Sequence, residues 1–310
     1  MKIGMLTDSL ADLPFDAMLD VSAELGIQCL EFGCGNWSSA PHLRLDAMVD
    51  SDRERREFTA KLAARGLSIS ALNCSGNPLH PGPEGKRQQE VTLKTFELAH
   101  LLGIERIVMM SGLPGGPGDA NPNWITTDWP PECQAVLRYQ WEEILIPYWR
   151  ELAKRARDCG IRRICLELHG HQAVYNPHGL NRLRDAVGDL VGANYDPSHP
   201  MWMGADPLQA VAALGPAIYY VHAKDTRIEP AVAGIDGLLE PRPSANFAER
   251  SWNYVTLGMG HDEDWWRCFC SALRKAGYDD VLSIEHEDAA MPPLDGVRRS
   301  VELLKRVLRG

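Results

Sequence analysis

The 310-residue sequence has no run of about 18 consecutive apolar residues, the length a helix needs to cross a bilayer, so no membrane partner is expected. It is short of positive charge: 32 Lys and Arg stand against 42 Asp and Glu, a formal −10. A chain that binds nucleic acid clusters basic residues against phosphate, and this balance excludes that class as the main partner. None of the eight cysteines falls in a CxxC pair, which argues against a disulfide frame or structural zinc and for reduced thiols. The amino terminus, MKIGMLTDSLADLPF, puts Asp8 and Asp12 where an export signal would keep an apolar core, and no small-residue cleavage site follows. A cytoplasmic location is the expectation. A GxGxxG turn is also missing after the first apolar run, where the chain reads LTDSLADLP, and this removes the dinucleotide-binding α/β fold.

What is present is an alternation. Hydrophobic residues make up 45% and charged residues 24%, ordinary values for a folded chain. Short runs rich in Ile, Val and Leu predict strands at residues 2–7, 28–33, 67–73, 106–111, 163–168, 191–195, 218–222 and 281–285. Between and after them, helical spacing falls over 15–25, 51–65, 86–102, 132–158, 180–187, 207–213, 263–276 and 296–308. Gly26, Gly66, Gly103, Gly160, Gly215 and Gly277 follow helices that precede strands, where a left-handed cap is wanted. Eight strand–helix units point to a single (β/α)8 TIM-barrel domain over residues 1–310. Long loops are expected after strand four, 112–131, and after strand seven, 223–262, on the face where such barrels keep their chemistry.

The last four strands end in polar residues: Glu167 in ICLELHG, Asp196 in NYDPSH, His222 in YYVHAKD and Glu285 in LSIEHED. Three carboxylates and an imidazole at neighbouring strand ends make an oxygen-rich set suited to Mn²⁺, with Mg²⁺ or Co²⁺ as alternatives. Together with the HAKD and DPSH strings, these strand ends resemble the sugar isomerase and epimerase superfamily of xylose isomerase-like barrels, tagatose and psicose 3-epimerases included. The resemblance implies that Glu167, Asp196, His222 and Glu285 are metal ligands, that His199 lies beside the substrate, and that Arg227 contacts it. It also implies a sugar isomerase or epimerase in which the ion polarises a carbonyl and Glu167 and Glu285 exchange the proton of the adjacent C–H through an enediolate. The alternative for these two glutamates is metal binding alone.

His169 lies two residues after Glu167, on the same strand face, and is a further candidate base; His171 reads as structural. The catalytic subunits of C-glycoside deglycosidases look similar and are thought to use such a histidine. That implies a second reading, a lyase expelling an aglycone from a 3-keto-glycoside, with a small accessory subunit as a possible partner. Trp37, Trp124, Trp129, Trp202 and Trp252 stand on loops where indoles can face a sugar or aglycone, whereas Trp141, Trp149, Trp265 and Trp266 fall in helical stretches. His261 either closes over substrate or caps the helix that starts after it, and Lys224 with Asp225 either orient His222, contact substrate or form a surface pair. The turn SGLPGGPG at 111–118 loses two amide donors to Pro114 and Pro117, so an unphosphorylated small carbohydrate or glycoside is expected. A DNA-repair nuclease on the same barrel would need more metal ligands and a basic groove, and a homo-oligomer is expected from this architecture.

Overall fold

The computed structural model describes residues 1–309. Its strands are β1 (Lys2–Leu6), β2 (Cys29–Gly33), β3 (Ser68–Asn73), β4 (Arg106–Met109), β5 (Arg163–Glu167), β6 (Val191–Tyr195), β7 (Ile218–Ala223), β8 (Asp225–Ile228), β9 (Trp252–Val255) and β10 (Val281–Ile284). Eight of them close a barrel in the order β1-β10-β7-β6-β5-β4-β3-β2, the (β/α)8 architecture that the alternation predicts. By contact density the chain divides into two compact units, one made of Met1–Glu31, Ala60–Ser70 and the chain from Tyr195 onward, the other of Phe32–Thr59 and Ala71–Asn194.

Strands β2, β6 and β10 are buried at every position, which is why they read as apolar runs without alternation. In β1, Gly4 pairs in register with Ser283, and a Cβ there would lie 2.6 Å from Val281 Cγ1. A side chain at this position would have to displace the Val281 side chain, so glycine suits it. The six expected capping glycines all have positive φ, but Gly215, at φ 50 and ψ −126, leaves the left-handed helical region and opens a short 3-10 turn, Gly215–Ala217.

Two expectations are revised. The helix over 132–158 is three segments: Glu132–Arg138, a π-helical stretch at Tyr139–Leu145, and Ile146–Asp158. Pro147 supplies the reason, because it has no N–H for the residue a turn earlier and its ring crowds that carbonyl, so the helix widens just before it. The long connection after β7 is also more than a loop: β8 and β9 form an antiparallel pair within it, with Asp225 opposite Val255 and Arg227 opposite Asn253. The loop after β4 does run from Met110 to Pro131 without helix or strand.

Trp149 anchors the Ile146–Asp158 helix to the end of β4, donating from Nε1 to the Ser111 carbonyl at 2.9 Å while fully buried. Trp149→Ala empties that volume and orphans the carbonyl, so unfolding in urea should show a loss of about 3–5 kcal/mol. A loss under about 1 kcal/mol would mean that the helix is held elsewhere.

Candidate metal centre and active site

Each of the four strand-end residues arrives where a strand stops. Glu167 is the last residue of β5 and His222 the penultimate residue of β7, while Asp196 and Glu285 directly follow β6 and β10. Parallel register does the alignment: Glu167 pairs with Asn194, two residues before Asp196, and His222 pairs with Ser283, two before Glu285. One ligand atom from each of Glu167, Asp196, His222 and Glu285 lies within 4.8 Å of the other three. A second, overlapping group joins Glu167 to His169 and His199 at the same separation.

The electrostatics of this cluster follow from burial. Asp196 and His222 have no solvent exposure, and Lys224 extends among them with Nζ 2.8 Å from Glu285 Oε2, 2.9 Å from Glu287 Oε2 and 3.3 Å from Asp196 Oδ2. Lys224 is therefore a buried counterion and not a surface pair. Burial alone would raise the Asp196 carboxyl, but Lys224 and His199 outweigh it and hold it at about 2. Glu285 behaves alike: burial raises it, and Lys224 and His222 bring it well below the usual carboxylate range. The opposite shift falls on His222, where burial lowers the imidazole and Glu31 and Glu285 raise it well above its ordinary value.

Glu31, on β2, is the residue sequence reasoning missed. It has no solvent exposure, its two oxygens lie 3.1 and 3.0 Å from His222 Nε2, and it accepts from Ser283 Oγ at 2.8 Å. Nε2 donating to Glu31 leaves Nδ1, 3.1 Å from Glu285 Oε2, as the ring nitrogen that could bind an ion. A lone carboxylate inside the otherwise apolar string CLEFG was the available signal. Because such a partner fixes the ring and raises its basicity, Glu31→Gln should weaken binding of a divalent ion about 10–100-fold in a calorimetric titration; unchanged affinity would remove Glu31 from the centre.

The other candidates divide by place. His199 is buried, with Nε2 3.3 Å from Asp196 and Nδ1 3.0 Å from the Tyr254 hydroxyl. His169 is partly buried, with Nδ1 against the Gly170 carbonyl. Arg227, on β8, is clamped by Glu229 at 2.7 Å. Trp124 packs edge-on to Tyr175 and His171, whose φ of 59 is unusual for a non-glycine residue. Trp252 is buried and stacked on Trp202 at 4.8 Å, so this pair cements the hairpin to the rim. His261 does not cap the following helix; Asp262 does, accepting from Trp265 N. Its ring instead meets Asp225, which is fully buried and holds the Gly258, Gly260 and His261 amides and His261 Nδ1. Asp225 thus positions a loop and not His222. In the proline-rich turn, Asp119 takes the Gly116 amide, which sets a carboxylate where an anion would need a donor.

The donor set fits a divalent cation. With Glu31, four carboxylates surround the cluster, and Lys224 and His222 offset only part of that charge. Oxygen donors with one nitrogen match Mn²⁺, Mg²⁺, Co²⁺ or zinc, and not a thiolate site.

Comparison with known proteins agrees with the fold. The chain is 51% identical over 311 residues to the uncharacterized protein YfiH of Bacillus subtilis (strain 168), covering 99% of each. D-Psicose 3-epimerase from Clostridium cellulolyticum H10, solved with D-tagatose, superposes with a TM-score of 0.65 at 15% identity, over 100% of this chain and 99% of the epimerase. The IOLI protein, solved with a zinc atom, gives 0.66 at 17% identity, over 99% and 98%. Residues 19–307 match the family described as xylose isomerase-like TIM barrels, and the chain belongs to that family.

Proposed function

We propose that the protein is a divalent-metal-dependent sugar isomerase or epimerase that moves a proton next to a carbonyl, working as one barrel domain on an unphosphorylated substrate. The observation that supports this reading is that ligand atoms of Glu167, Asp196, His222 and Glu285 lie within 4.8 Å of one another. A cation held there, Mn²⁺ in our reading, would polarise a ketose carbonyl and acidify the neighbouring C–H. Glu285, kept ionised by Lys224 and His222, starts as a proton acceptor. Glu167 is its counterpart, and exchange between the two inverts or relocates the carbon's hydrogen. His199, held between the Tyr254 hydroxyl and Asp196, would lie beside the substrate and orient Asp196. His169, grouped with Glu167 and His199, supports a second reading in which it is the base and the same carbanion expels an aglycone. The eight free cysteines fit a reducing, cytoplasmic setting.

The test is dialysis against Mn²⁺, elemental analysis, then incubation with ketoses and 3-keto-glycosides in D₂O. About one ion per chain, with deuterium entering the sugar and no group lost, is the expected result, and chelator treatment should abolish it. Release of an aglycone would establish the lyase. A protein that takes up no ion would end both.

A further inference from the structure

The loop after β4, the chain that follows β5 and the helical segments Glu132–Arg138, Tyr139–Leu145 and Pro177–Val187 form a cavity of about 130 Å³. None of the residues gathered at the strand ends lines it; Leu137, Trp124, Trp141 and Tyr175 give it apolar walls. Two backbone distortions border it: the π-helical stretch that carries Trp141, and His171, whose φ of 59 turns the chain immediately before Gln172. Distortions of both kinds collect at functional sites.

The polar groups of this cavity are donors left without acceptors. Gln172 has no solvent exposure, and its Oε1 accepts from Gly112 N at 2.8 Å, which fixes the carboxamide with Nε2 turned the other way. That Nε2 and the buried indole Nε1 of Trp124 have no partner among the described residues. Arg182 stands over the Trp141 ring at 4.2 Å, and the carboxylate it faces, Glu142, is 4.0 Å away, beyond hydrogen-bond distance. A buried N–H left unbonded is costly, and native structures keep few of them.

We infer that this cavity is a binding site for a small carboxylate with a flat apolar body. The carboxylate accepts from the unpaired N–H groups beside the Arg182 charge, and the body lies among the three aromatic rings. The site goes beyond the proton-transfer reading and does not depend on it. Two side-chain acceptors of the lining are already taken, Gln172 Oε1 by Gly112 N and Asn176 Oδ1 by Gly179 N, so the free polar groups are weighted to donors. Size agrees, since a cavity of about 150 Å³ holds a benzene ring. Access is open at Arg182, whose side chain is 38% exposed.

Benzoate is the probe, compared by calorimetry with benzyl alcohol, which keeps the ring without the charge, and acetate, which keeps the charge without the ring. Benzoate should bind about 10- to 100-fold tighter than either, with and without Mn²⁺. Gln172→Glu keeps an acceptor for Gly112 N and puts a carboxylate where the free N–H was, and Arg182→Gln removes the cation. Each should cut the preference for benzoate over benzyl alcohol to about twofold or less. In the wild-type protein, the indole N–H resonance that Trp124→Phe removes should shift when benzoate is added, and this shift decides the matter should either charge variant fail to fold. Equal binding of benzoate and benzyl alcohol overturns the carboxylate. Benzoate binding that needs Mn²⁺, or that both variants leave unchanged, puts the probe elsewhere and overturns the site. No binding of any probe at millimolar concentration leaves the cavity to water and overturns it as well.

Discussion

Glu285→Gln is expected to lower turnover of the Mn²⁺-loaded protein by about 10²- to 10⁴-fold, the range that follows from losing a positioned proton acceptor. The substitution keeps the shape of the side chain and removes its charge, which two neighbours use. Lys224 Nζ sits 2.8 Å and His222 Nδ1 3.1 Å from Glu285 Oε2, and the carboxylate is one of the four groups that could hold an ion. Ion content must therefore be measured on the same sample. Reduced turnover with the ion retained assigns proton transfer to Glu285, and reduced turnover with the ion lost assigns only ligation. A variant with both ion and turnover intact would remove Glu285 from the chemistry.

A large effect on stability is expected from Asp225→Ala, comparable to that of Trp149→Ala. This carboxylate, without solvent exposure, accepts from three consecutive-region amides, Gly258 N and Gly260 N at 3.1 Å and His261 N at 3.0 Å, and from His261 Nδ1 at 2.8 Å. The turn is tight: a Cβ on Gly260 would stand 2.4 Å from the Thr226 carbonyl. Truncation leaves donors that cannot all turn to water, each costing about 1–3 kcal/mol, and a total near 4 kcal/mol is expected in urea unfolding once partial exposure is allowed for. Asp225→Asn, which retains one acceptor oxygen, should lose less. If Asp225→Ala unfolds at the wild-type urea concentration, the carboxylate is not what holds the loop.

Legibility in the sequence followed the range of the interaction. The eight barrel strands could be read because strands buried on both faces are locally apolar, as VGANY and VLSI are, and the four residues that gather at the strand ends could be picked out because each lies at the end of such a run. Glu31 sat inside a run and not at the end of one, and its partners His222 and Ser283 lie 191 and 252 residues away. Tyr254 and Glu287 entered the centre through β9 and the loop after β10, neither of which announces a partner along the chain. The β8–β9 pair was missed for a similar reason, since 23 residues, 229–251, separate strands of four residues each. The π-helical stretch needed only Pro147 to be weighed as a local fault.

Lys224 gives the carboxylate cluster an internal cation that belongs to the chain itself. The cluster's charge is thereby partly offset without any bound ion. An oxygen-rich site with one imidazole has nothing that rejects one divalent ion in favour of another, so, on the function proposed above, the ion found in purified protein would follow the supply at expression, zinc included.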